Sequence, residues 1–121
     1  MFEVSFDTTT NLLKINYAGH IVAEEAQRCA ERVQSLLSQL QPGFSMLTDL
    51  RALEAMDLAC VPFIEKVMDW CDDARIKRVV RIIPDSRKDI GLNIMSLFHY
   101  RPGVRIVTCR TLEEAQAALA R

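Results

Sequence analysis

Phe2, Val4 and Phe6 alternate with Glu3, Ser5 and Asp7. Successive side chains of an extended chain point to opposite faces, so this period of two predicts a half-buried strand. The turn-rich Asp7-Thr-Thr-Thr-Asn11 follows, then Leu12 to Tyr17 before Gly19, and the two runs read as an antiparallel hairpin. From Ala23 to Leu40 the period changes. Ala26, Ala30, Val33, Leu37 and Leu40 fall at helical spacing, Glu24 and Glu25 occupy the first turn where the helix dipole favours acids, and Pro42-Gly43 ends the segment.

Phe44 to Leu50 is a short, mostly apolar run that predicts a strand buried on both faces, ending in Asp49-Leu50-Arg51. Pro62 fits the first position of a second helix, because an interior proline would lose a hydrogen bond and clash with the preceding turn. Phe63, Ile64, Val67, Met68 and Cys71 supply that helix's apolar face, with Met68 and Trp70 read as core or dimer contacts. Asp72-Asp73 closes the segment, Lys77 to Ile83 predicts a strong strand, and Pro84 terminates it. Ser86 and Asp89 have the spacing of a capping box ahead of a third stripe, Ile90, Ile94, Leu97 and Phe98, with Tyr100-Arg-Pro-Gly103 as the exit turn. Val104 to Thr108 predicts a fifth strand, and Thr111 caps a last helix that carries Glu113-Glu114 in its first turn.

The predicted order is ββαβαβαβα, a single α/β domain over residues 1–121. Helices alternating with strands imply right-handed crossovers and a mostly parallel five-stranded sheet, edged by the antiparallel N-terminal hairpin, in a sandwich of two or three layers. At 121 residues, half of them apolar, the chain can build one hydrophobic core without a disulfide or a metal. Cys29, Cys60, Cys71 and Cys109 have no CxxC pairing and sit in or beside apolar segments, where a free thiol behaves as a small hydrophobe; no zinc-ligand spacing is present. The N-terminus has no basic region followed by an apolar stretch, and no apolar run is long enough to span a bilayer, so a cytoplasmic protein is expected.

The stretch Asp49-Leu50-x-x-Leu53-x-x-Met56-Asp57-Leu58-Ala59-Cys60 resembles the STAS domain of bacterial anti-sigma factor antagonists, the SpoIIAA-like type. That pattern is an Asp-Leu strand end, an apolar spacer, then Met-Asp-Ser-Ser-Gly entering the second helix. The resemblance implies a SpoIIAA-like fold and a non-catalytic, regulatory protein-interaction module whose partner surface lies at Asp57, Leu58, Ala59, Cys60 and Val61. In the family the second Ser of that turn accepts phosphate. Here Leu58 and Ala59 replace the two serines and Cys60 the glycine, so no hydroxyl remains for a kinase, and Asp57 carries at most part of a phosphoserine's charge. As an ordinary loop, the same turn would use Asp57 to satisfy backbone amides.

The net charge of −1 argues against general nucleic-acid binding, but the charge is polarised along the chain. Residues 1–74 hold 5 basic and 12 acidic side chains, and residues 75–121 hold 10 and 4. Arg81, Arg87, Lys88 and Arg101 are therefore candidates for binding an anionic ligand or acidic partner at the carboxyl ends of the parallel strands; the alternative is a solvated face balancing the acidic half. Arg78 and Arg81 cannot share one strand face. Ile94, Met95 and Phe98 are candidates for an apolar or acyl pocket, the basis of an alternative small-ligand-binding function. A thiol nucleophile at Cys60 with Asp57 and His99 is a further reading, but only His20 and His99 are available as imidazole bases and no nucleophile elbow is present. No catalytic set, cofactor motif or metal set is identifiable. The expected partner is another protein, and a homodimer through an edge strand or apolar face is compatible with the pattern.

Overall fold

In the computed structural model the described residues are 1–83, 85 and 99–120. They form five strands, β1 (Phe2–Asp7), β2 (Leu12–Ile21), β3 (Ser45–Met56), β4 (Arg78–Ile82) and β5 (Arg105–Cys109). Three α-helices accompany them, α1 (Ala23–Leu36), α2 (Val61–Asp73) and α3 (Leu112–Leu119). The strands lie side by side in chain order, β1 antiparallel to β2 and the remaining pairs parallel. The helix predicted between the fourth and fifth strands lies outside the described residues.

Each parallel crossover steps to the adjacent strand in the same direction. Crossovers of one hand must then put their helices on one face, and α1 and α2 do pack together there. Leu13, Ile15 and Tyr17 of β2, Met46 and Leu50 of β3 and Val79 of β4 meet Cys29, Val33, Ile64, Val67 and Met68 in the larger core. The alternate residues Leu12, Leu47, Val80 and Ile82 face the other way, against Ala115 and Ala118 of α3 in a smaller one. The described elements therefore make three layers. β4 is buried along its whole length, as expected for a central parallel strand.

Two strands run further than their sequence pattern predicts. β2 continues past Tyr17 through Gly19 to Ile21, and β3 continues past Leu50 to Met56. The extensions pair with each other, Gly19 opposite Leu53 and Ile21 opposite Met56, with register shifts on both sides of Ala18-Gly19. Gly19 has φ +70°, a value that favours glycine and lets the strand kink while pairing resumes. Ala52, Glu54 and Ala55 have weak strand propensity, so only the neighbouring strand makes this segment extended. α1 stops at Leu36 instead of Leu40 and tightens into a 3₁₀ turn at Leu37–Gln39, a common way to end a helix without a basic or glycine cap. Pro62 sits in the first turn of α2, and the Thr111 hydroxyl accepts from the Glu114 amide at 3.2 Å, as predicted.

Candidate functional site

β3 delivers the chain to the carboxyl edge of the sheet, and a 3₁₀ turn at Leu58–Cys60 passes it to α2. The turn is held from below by the end of β2. The Asp57 amide donates to the Ile21 carbonyl at 3.0 Å, and the Cys60 amide donates to the Asp57 carbonyl at 2.9 Å. His20 Nε2 donates to Asp57 Oδ1 at 2.6 Å. Asp57 therefore does not use its carboxylate on the backbone amides of its own turn, as an ordinary-loop reading expected; it accepts from a histidine 37 residues earlier.

With its base anchored, the turn presents Asp57, Leu58 and Ala59 to solvent, Val61 half-buried, and Cys60 fully buried. Leu58 is 88% exposed. The Cys60 thiol donates to the Ile21 carbonyl at 3.5 Å. Burial raises its pKa and the Asp57 charge raises it further, so the helix-entrance thiolate that would make it a nucleophile is disfavoured. His99 is not beside it: that imidazole is bound further along α2.

From Glu65 onward α2 carries an acidic ridge. Glu65, Asp69 and Asp72 recur at helical spacing on α2 and meet the segment entering β5. His99 donates from Nδ1 to Asp69 at 2.6 Å and from Nε2 to Glu65 at 2.8 Å. Two donated bonds require the imidazolium, and the Asp69 bond is the main cause of a raised His99 pKa, with the Glu65 bond adding to it. Arg101 grips Asp72 with Nε at 3.0 Å and the Asp72 carbonyl at 2.7 Å. Its hydrogen bonds hold the Asp72 carboxyl below the usual range. Tyr100, between these two, is buried. The sequence shows His99-Tyr100-Arg101 as a helix exit, and the i, i+4, i+7 acids on α2 were the signal that it has a docking face.

The candidate basic site is divided. Arg81 is buried in β4, 2% exposed, on the face covered by α2, whereas Arg78 faces α3 and donates to the Leu119 carbonyl at 2.7 Å. Arg101 precedes β5, on the amino-end side of the sheet, and its guanidinium is bound to Asp72. The structure does not bring Arg81 and Arg101 together at the carboxyl edge. Arg87 and Lys88 of that set, and the pocket candidates Ile94, Met95 and Phe98, lie outside the described residues. A cavity does exist under α2, with Arg81 and Tyr100 in its wall. Among the described residues no group of His, Cys, Asp or Glu is arranged to hold a metal, and no helix is long and apolar enough to cross a membrane.

A three-layer sheet in strand order 1-2-3-4-5, with an antiparallel first pair and a stapled turn into α2, has close structural counterparts. An uncharacterized DUF3478-family protein with a SpoIIAA-like fold from Shewanella loihica PV-4 superposes with TM-score 0.74 at 16% identity, covering 98% of this chain and 93% of that one. The fold is SpoIIAA-like. The unphosphorylated anti-sigma factor antagonist SpoIIAA matches at TM-score 0.68 and 14% identity over 99% of this chain and 98% of that one. An anti-sigma factor antagonist from Mycobacterium paratuberculosis matches at 0.64 and 16% over 100% and 96%. No family model and no curated protein matches the sequence. The SpoIIAA-like frame places the Asp57 turn at the carboxyl edge of the sheet, where open α/β sheets present their binding residues.

Proposed function

We propose that this SpoIIAA-like domain is a non-catalytic regulatory module that docks another protein through the turn at Asp57, Leu58, Ala59 and Val61, without phosphoryl control. The observation that carries this reading is Leu58, a leucine 88% exposed at the tip of a turn whose base is fixed by the Asp57 amide and the His20 bond. An isolated exposed apolar side chain is ordinary on a protein surface, but one held at the apex of an anchored turn is pre-organised to enter a partner's pocket at little further entropy cost. Cys60 belongs to the frame of the turn and not to its docking surface. Ala59, at the position corresponding to the family's phosphoacceptor, leaves no hydroxyl to modify. Recognition is then constitutive, controlled by the partner's availability. Two of the superposing proteins are anti-sigma factor antagonists by name, which supports a protein as the ligand.

Native mass spectrometry of the protein drawn gently from its own cells, alongside Leu58→Asp, tests this reading. A protein partner present with the unaltered chain and lost with Leu58→Asp is the expected result. A partner retained by the variant moves docking away from the turn, and a chain that carries no protein partner overturns the reading.

A further inference from the structure

The two edge strands of the sheet carry opposite charge. The sheet ends at β1 on one side and at β5 on the other, and an edge strand keeps a row of backbone amides and carbonyls open to pairing. β1 bears Glu3 and Asp7, both exposed, and no basic residue; β5 bears the exposed Arg105 and no acidic residue, with Arg110 directly after it. Half-buried apolar side chains accompany them, Phe2, Val4 and Phe6 on β1, Ile106 and Val107 on β5. Charge on an edge discourages pairing between copies only where the two edges have like sign. A second β1 laid antiparallel on β1 about Ser5 sets Glu3 against Asp7, and a second β5 offers Arg105 no acid. β1 against β5 meets neither objection.

Strand direction and register agree with that pairing. β1 runs antiparallel to β2, and β2 to β5 run parallel, so a second copy set beside the first in the same orientation brings its β1 antiparallel to β5. Along the paired residues, Asp7, Leu12, Ser45, Arg78 and Arg105 share one level of the sheet, and Phe6, Leu13, Met46, Val79 and Ile106 share the next. With no shift of register, Asp7 of one copy faces Arg105 of the next on the α3 side, and Phe6 faces Ile106 on the side of α1 and α2. A slip of one residue would undo both matches. Asp7 accepts from the Thr9 amide at 2.9 Å with one oxygen and keeps the other for the guanidinium. We propose that the β1 edge of this domain pairs antiparallel with the β5 edge of a second copy, Asp7 against Arg105. Unlike edges do not close on two copies, so each added copy leaves one β1 and one β5 edge for the next. The contact is independent of the Asp57 turn.

Strands of 6 and 5 residues make a contact below the standard interface size, so the association is weak and concentration-dependent. Sedimentation of the full chain over a concentration series up to about 1 mM tests it. The expected result is an average mass that rises past the dimer and falls when salt is added. Asp7→Arg and Arg105→Asp, both at exposed positions, should each weaken self-association about fivefold. An equal mixture of the two variants should restore it, because each then offers the other an edge of opposite sign. A mass that stays at the monomer throughout the series overturns the proposal, as does a plateau at the dimer, which belongs to a two-fold contact; neither comparison needs a variant. Association unchanged in Arg105→Asp, or a mixture of folded variants that stays dissociated, removes the β1 to β5 pairing. Far-UV circular dichroism verifies that each variant is folded.

Discussion

The two ends of α2 are built on opposite principles. From Glu65 to its C-terminus the acids Glu65, Asp69 and Asp72 each find a basic partner in His99 or Arg101, and the intervening Tyr100 is driven into the core. At its N-terminal end the chain is anchored just as firmly, by the Ile21 carbonyl and by His20, but what it holds up is an apolar side chain in water. Polar groups answered within the chain mark a contact that serves the fold. An apolar tip on an anchored turn, 88% exposed, serves the fold very little, and the proposal of docking at the Asp57 turn rests on that contrast.

The contrast can be broken by truncation at each end. Tyr100→Ala removes a buried aromatic ring and leaves a cavity, so it should cost about 3–5 kcal/mol of unfolding free energy in urea titration. A loss well below that would mean that the segment entering β5 is only loosely seated on α2. Next in size is a pH effect at the same end. The folded-state pKa of His99 is raised above its ordinary value of 6.5, so its stabilising contribution is fully present below about pH 6.5 and is lost as pH rises through the raised value. Thermal unfolding should show this decline on the alkaline side, and His99→Gln should flatten it. A decline that persists unchanged in His99→Gln would assign it to another group. Asp69 and Glu65 are substantially exposed, so added salt should shrink the effect. The smallest stability change is expected at the other end, where Leu58→Asp should alter unfolding free energy by no more than about 0.5 kcal/mol while removing partner binding. A large loss of stability there would place Leu58 in the fold and not in the docking surface.

How much of this was legible in the sequence varies along the chain. The period of two through Phe2, Val4 and Phe6, the stripe Ala26, Ala30, Val33, the proline opening α2 and the Thr111 cap act within a few residues of themselves, and the structure keeps them. Among the described residues the same is true of the order of strands and helices, which follows from alternating periods and from the rules of crossover connection; the helix predicted between the fourth and fifth strands lies outside them. The extensions of β2 and β3 were not legible, because Ala52, Glu54 and Ala55 become extended only when another strand offers them hydrogen bonds. At the candidate site, sequence could nominate Asp57, Leu58, Ala59, Cys60 and Val61 together, but it could not divide them into three exposed residues, one half-buried and one in the core.

Among the described residues, sequence alone thus determined the local periods, the Pro62 and Thr111 helix starts, the absence of a hydroxyl in the Asp57 turn, and the order of the elements. These depend on side-chain type and spacing along the chain. Only the tertiary structure decided that Asp57 answers His20 across 37 residues and that Asp69 and Glu65 together hold His99. It also decided that Arg81, one of a run of basic residues, points inward beside Tyr100 and not into solvent. Such contacts depend on which elements the sheet places side by side, and a charge in a one-dimensional pattern carries no record of the neighbour that burial will give it.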